Sequence, residues 1–252
     1  MPATKGRRDE LDMIGIRAFA ATYRGRMKEA AELMTDYQAR AIALSRGQAA
    51  GNVALQLAIG EALVGLNDQA RARVAKAEDD GIVGEGTADD RLVVAAIIGD
   101  AAMARSLLAK GVEEQQKSSA DNVNRSEGER VVKALAAIAE RRPAEAVKLM
   151  EPVTFDQGHT DVVNIWAIAK MLEGDLPAAA KGLTFLNSPD ARGGLSPGRA
   201  YAYAMLARTQ VKMGQTDEAR KNYEKFFEIF KDADPDLPLL VQARDEFAKL
   251  GS

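Results

Sequence analysis

The stretch Tyr203-Ala204-Met205-Leu206-Ala207-Arg208-Thr209-Gln210-Val211-Lys212-Met213-Gly214-Gln215-Thr216-Asp217-Glu218-Ala219, continuing through Tyr223 to Phe226, is two amphipathic segments divided by one glycine. Gly214 supplies the left-handed conformation that closes a first helix. Ala219, five positions on, lets a second helix pack tightly against it, with Tyr223 and Phe226 at helical spacing on the same face. The stretch predicts a helical hairpin. The same pairing recurs as Gly25/Ala30, Gly65/Ala70, Gly99/Ala104 and Gly174/Ala179. A sixth case, Arg141/Ala146, carries Arg in place of Gly and is expected to keep the turn through Pro143, a residue suited to the start of the next helix.

Successive turns are 40, 34, 42, 33 and 40 residues apart. A hairpin of this size cannot bury its apolar face alone, so neighbours must stack. The chain supports this with 46 Ala, the best helix former, against 13 aromatics. The most strand-like run, Arg91–Ile98 between Asp90 and Gly99, reads better as a buried helix. Breaker-rich connections at 79–90, 117–127 and 187–198 are too short for independent linkers, and residues 1–252 are expected to form a single solenoid.

A helix–turn–helix of about 34 residues with this turn resembles the tetratricopeptide repeat. With the turn residue at repeat position 15, the small position 8 is filled by Ala18, Ala58, Leu92, Ala134, Ala167 and Ala207. Leu92 departs from the pattern, and Arg17 and Glu61 stand where that repeat usually carries apolar or aromatic residues. The tail, Ala219 through Phe230 and Asp232-Ala233-Asp234-Pro235-Asp236 to Leu240, then Ala243 to Phe247, resembles the closing segment of the C-terminal tetratricopeptide region of bacterial serine/threonine protein kinases and related signalling regulators. Asp12-Met13-Ile14 and Tyr23-Arg24-Gly25-Arg26 resemble that region's first repeat. Kinase hallmarks are missing: there is no Gly-rich nucleotide loop, His-Arg-Asp or Asp-Phe-Gly. The resemblance implies an all-α, right-handed α-solenoid of about six hairpins, with turns near 25, 65, 99, 141, 174 and 214 and a capping helix over about 238–250. Seven aromatics, Tyr201, Tyr203, Tyr223, Phe226, Phe227, Phe230 and Phe247, are expected to join the last hairpin to that cap.

Composition narrows the chemistry. The absence of Cys removes disulfides, thiol catalysis and Cys-ligated zinc. A net charge of −3 argues against general nucleic-acid binding. No apolar run approaches the ~20 residues of a membrane span, so no membrane insertion is expected. Residues 1–10 lack the apolar core of a signal peptide, which makes the cytoplasm the default location, and an extracytoplasmic one if the chain follows a membrane anchor.

His159 is the only histidine, so no usual zinc site can form around it, and nothing in the spacing identifies a nucleophile oriented beside it. Asp232, Asp234 and Asp236 alternate as calcium-loop ligands do, but Leu237 and Ala243 replace the required Gly and bidentate Glu. Asp234-Pro235 is expected instead to end one helix, and Asp236 and Pro238 to start the next. Gly81-Ile82-Val83-Gly84-Glu85-Gly86 lacks the Gly-Lys-Ser/Thr and preceding strand of a phosphate loop. These readings leave no catalytic constellation, no metal site and no cofactor, and the chain is expected not to be an enzyme.

In tetratricopeptide folds the first helix of each hairpin lines the concave surface. The resemblance therefore selects Phe19, Asn52, Leu55, Ile59, Leu135, Asn164, Tyr201, Arg208 and Lys212 as partner-binding groove residues. The chaperone-tail clamp of such folds needs Lys/Arg and Asn at particular groove positions. The corresponding positions five and nine are Gly15/Phe19, Leu55/Ile59, Asp89/Val93, Val131/Leu135, Asn164/Ile168 and Ala204/Arg208, so the resemblance does not extend to that clamp. The expected function is a noncatalytic protein-interaction scaffold in bacterial signalling or regulation, binding a peptide or protein partner through an apolar middle with polar ends. Self-association into a homo-oligomer is compatible with stacked hairpins. The alternative is a helical sensor whose concavity holds a small apolar or amphipathic ligand.

Overall fold

In the computed structural model, residues 3–83, 88–117, 122–151, 160–188, 191 and 197–251 are described. Among them the chain is all-helical, with thirteen helices and no strand. They are α1 (Ala3–Tyr23), α2 (Met27–Ala43), α3 (Gly47–Leu63), α4 (Asn67–Asp79), α5 (Ala88–Ile98), α6 (Ala101–Lys117), α7 (Asn122–Ala139), α8 (Pro143–Met150), α9 (Thr160–Glu173), α10 (Leu176–Leu186), α11 (Pro197–Lys212), α12 (Thr216–Ile229) and α13 (Pro238–Lys249). No described helix is long and apolar enough to cross a membrane. The Arg91–Ile98 run lies in α5, as expected.

All six expected turns are present. Gly25, Gly65, Gly99, Gly174 and Gly214 take φ of +70°, +90°, +71°, +94° and +75°. After α1 the Arg26 amide donates to the Ala21 carbonyl at 2.9 Å and the Gly25 amide to Thr22 at 3.0 Å. This double bond pattern satisfies carbonyls that a helix end otherwise strands. The sixth turn differs from its sequence reading in one respect. Arg141 itself adopts φ +58°, with the Arg142 amide on Ala137 at 2.8 Å, while Pro143 merely opens α8. Ser45, unremarked in the sequence, takes φ +57° and ends α2 in the same way.

The small residues on both sides of these turns are where the helices touch. Ala18, Ala58, Leu92, Ala134, Ala167 and Ala207 in the first helices are fully buried, as are Ala30, Ala70, Ala104, Ala146, Ala179 and Ala219 in the second. Helices pack in chain order, each against the next, with α3 also on α5 and α5 on α7. Glu61, out of place in an apolar position, is buried in α3 and accepts two bonds from the Arg73 guanidinium of α4, at 2.9 and 2.6 Å. That pairing is what makes a buried carboxylate tolerable.

The apolar cores form a circuit. One joins α3, α4 and α5 around Leu55, Ala70 and Val94. The next runs from α5 to α9 around Leu92, Leu135 and Met150. A third links α9, α10 and α11 through Val163, Leu183 and Leu206. The largest then combines α1, α2 and α3 with α11, α12 and α13, and holds Leu11, Met34 and Leu57 beside Tyr223, Phe226 and Leu240. The last hairpin therefore packs on the first: α11 touches both α1 and α3.

The segment between α12 and α13 and the first turn of α13 fasten this closure. The Asp234 amide donates to the Gly25 carbonyl at 3.0 Å, and the Leu239 amide to the Val64 carbonyl at 3.0 Å. Phe230 lies so close to Gly25 that a β-carbon there would come within 2.6 Å of its ring. The expected division of the aromatics is accordingly half right. Phe247 of α13 does pack edge-on against Tyr223 and Phe227, with centroids at 6.1 and 5.4 Å. Phe226 and Phe230, however, also serve the core shared with the first hairpin. Asp236 does not cap α13, whose start at Leu237 has no side-chain cap; Pro238 does occupy its first turn.

Candidate functional site

The nine groove residues do not share one surface. Leu55 is fully buried and Ile59 packs beside it in the core of α3–α5. Leu135 is buried in the separate core of α5–α9. Phe19 and Tyr201 are both half-buried against the core that joins the first and last hairpins. Asn164 is half-buried, and its Oδ1 is enclosed without a hydrogen-bond partner among the described residues. Asn52 and Lys212 are exposed. His159 and Gly84–Gly86 lie outside the described residues, so the readings made on them carry no structural outcome. Among the described residues, no group of three or more His, Asp or Glu is placed to hold a metal.

Arg208 is engaged by the last helix. Its Nε donates to Glu246 at 2.8 Å, and Nη2 to Gln242 at 3.2 Å. Glu246 also accepts from the Tyr223 hydroxyl at 2.7 Å. Burial weakens the Arg208 charge, but the Glu246 carboxylate more than compensates and holds the guanidinium pKa above its ordinary value. Burial, then Glu246, pushes the Tyr223 hydroxyl well above the usual phenol range. This network ties α11, α12 and α13 together, so Arg208 fastens the last helix to the last hairpin.

The closure leaves an open cleft of about 720 Å³ on its flank, a size typical of ligand sites. Tyr23 and Arg24 enter from the end of α1, Arg199 and Tyr203 from α11, and Lys225, Glu228 and Ile229 from α12. Lys231 and Asp232 close one side, and Asn187, just past α10, another. Arg199 is held in place by donating to the Leu186 and Ser188 carbonyls, where a cation favours a helix C-terminus. Lys225 Nζ sits 5.7 Å from the centre of the Tyr203 ring. Burial, and then Tyr203, raise the Tyr23 pKa against the opposing pull of Arg199 and Arg24, so Tyr23 is a neutral hydroxyl at neutral pH.

Sequence reasoning placed Tyr201 and Arg208 in the concave groove and missed this cleft, which neither residue lines. Its walls come from both ends of the chain, and no local spacing connects Tyr23 to Lys225. The one available signal was the paired basic and aromatic character of Tyr23-Arg24 and of Arg199 with Tyr203. No protein-family model matches the chain, and no curated protein is significantly similar to it.

Proposed function

We propose that this chain is a noncatalytic interaction scaffold, a right-handed solenoid of tetratricopeptide-like hairpins that binds a peptide or protein partner in bacterial signalling or regulation. The observation that carries this reading is the open cleft at the meeting of the first and last hairpins. It combines two tyrosines with basic side chains from separate elements, and none of its described lining residues is Ser, Thr, Cys or His. The binding surface is thereby moved from the apolar middle of the expected groove, where Leu55 and Leu135 fill cores, to the closure. A sensor holding a small apolar or amphipathic ligand in the expected groove would need those same residues to line an open chamber, so the scaffold is the better reading.

A blocking experiment tests it independently of ligand chemistry. The chain lacks cysteine, so Glu228→Cys gives a single thiol in the cleft wall for a bulky polyethylene glycol maleimide. Affinity capture and cross-linking mass spectrometry should recover a partner with unmodified protein and lose it after modification, at an unchanged melting temperature. Partners that survive the block, or turnover of a substrate by the purified chain, would contradict the proposal.

A further inference from the structure

We infer that the cleft takes an extended acidic segment of a partner protein, its backbone paired with the Asn187 carboxamide and its carboxylates with Arg24, Lys225 and Lys231. This rests on the interaction reading above and names the chemistry of the same site.

Four basic and two acidic side chains line the cleft, an excess of two positive charges in a chain whose net charge is −3. The four cations are not equivalent. Arg199 is committed to the carbonyls at the end of α10, and Lys225 rests on the Tyr203 ring. Arg24 and Lys231 are exposed and form no ion pair among the described residues. A local surplus of unpaired cations on an acidic protein attracts and orients a negatively charged ligand.

Asn187 decides which kind of ligand. Its Nδ2 and Oδ1 are both enclosed in the cleft wall without a partner among the described residues, a costly state for a buried amide. Presenting the group to the cleft takes a rotation of the side chain, whose last torsion is soft. A carboxamide offers donors and an acceptor together, and a peptide bond presents the matching pair. A simple anion supplies acceptors and leaves Oδ1 unsatisfied. Glu228 and Asp232 sharpen the distinction: they repel a dense polyanion such as nucleic acid but can accept the N–H groups of a peptide. The Tyr23 and Tyr203 rings supply rigid faces for its side chains.

The test is selection from a randomised octapeptide display library on the immobilised 252-residue chain, followed by fluorescence anisotropy with a fluorescein-labelled synthetic copy of the enriched peptide. The inference requires enrichment of Asp and Glu, and binding that weakens as salt rises. The double variant R24E/K231E should weaken binding at least about tenfold and flatten the salt dependence. Asn187→Ala should weaken it severalfold with the salt dependence kept, and Asn187→Asp more than Asn187→Ala. Melting temperatures of all variants verify that they fold. Enrichment of neutral or basic peptides, no enrichment, or indifference to both sets of variants would overturn the inference. So would displacement of the peptide by inorganic phosphate as effectively as by unlabelled peptide, which marks a simple anion site. A partner lost on blocking Glu228→Cys but retained by R24E/K231E would leave the scaffold standing and sink the acidic segment alone.

Discussion

The backbone amide of Lys28 donates to Oδ2 of Asp234 at 2.9 Å across 206 residues of chain. Lys28 lies in the first turn of α2, whose own preceding residue, Arg26, makes no side-chain cap. Asp234 thus caps α2 from the far end of the sequence, placing a carboxylate where the helix dipole favours one. The Lys28 ammonium then reaches Asp236 at 3.3 Å. Asp234→Ala should cost about 1 kcal/mol in urea unfolding, the usual loss for an N-cap. Asp234→Asn, which keeps the acceptor, should lose much less. Equal losses for the two would remove the capping role.

Arg141 holds a backbone conformation that glycine holds at the five equivalent turns. A side chain in that region is strained by roughly 1–2 kcal/mol, partly offset by the entropy glycine gains on unfolding. Arg141→Gly should therefore raise stability by about 0.5–1 kcal/mol. A fall in melting temperature would show that its side chain, which lies against Gly99, matters more than its backbone.

The Glu61–Arg73 pair carries a different expectation. Arg73→Met leaves a buried carboxylate unpaired and should destabilise by about 3 kcal/mol. Glu61→Leu combined with Arg73→Met should recover most of that loss, since apolar residues of similar volume replace a buried pair at little cost. A double variant as unstable as Arg73→Met alone would show that the pair contributes more than mutual neutralisation.

Acid should weaken the fold in a defined window. The Met103 amide and then Arg71 hold the Asp100 carboxyl below its ordinary value, and Lys170 followed by the Ala178 amide does the same for Asp175. A carboxylate with a depressed folded pKa stabilises above its unfolded pKa of about 3.9 and loses that contribution as pH falls through the folded value. The melting temperature should be level from pH 7 to about 5 and fall below about 4. Asp175→Asn should shallow the acid limb, and an unchanged limb would separate Asp175 from the effect.

Much of the fold was legible because its signals are local. The Gly/Ala spacing located the six turns and the twelve buried positions of the hairpin interfaces, since turn geometry and close helix approach are decided within a few residues. Arg141 hid the left-handed backbone of its turn because Arg carries no such signature, and Ser45 hid a whole turn for the same reason. The closure was illegible. Asp234 looked like the end of a local helix, and its partner proved to be Lys28. The groove positions failed as a set for a related reason. Periodicity gives the face of one helix, but whether that face lines a groove or a core depends on neighbours distant in sequence. Leu55 went to a core, and Arg208 went to α13.

Everything placed at the cleft depends on the two ends of the chain meeting. In a cysteine-free protein this is measured directly by Lys28→Cys combined with Asp236→Cys, treated with a short bismaleimide at dilution and read by intact mass and peptide mapping. A closed chain gives a rapid intrachain link between positions 28 and 236 in nearly all molecules, with native helical content retained. Monomers with both thiols singly modified and unlinked, or links that form only between chains, would contradict the closure.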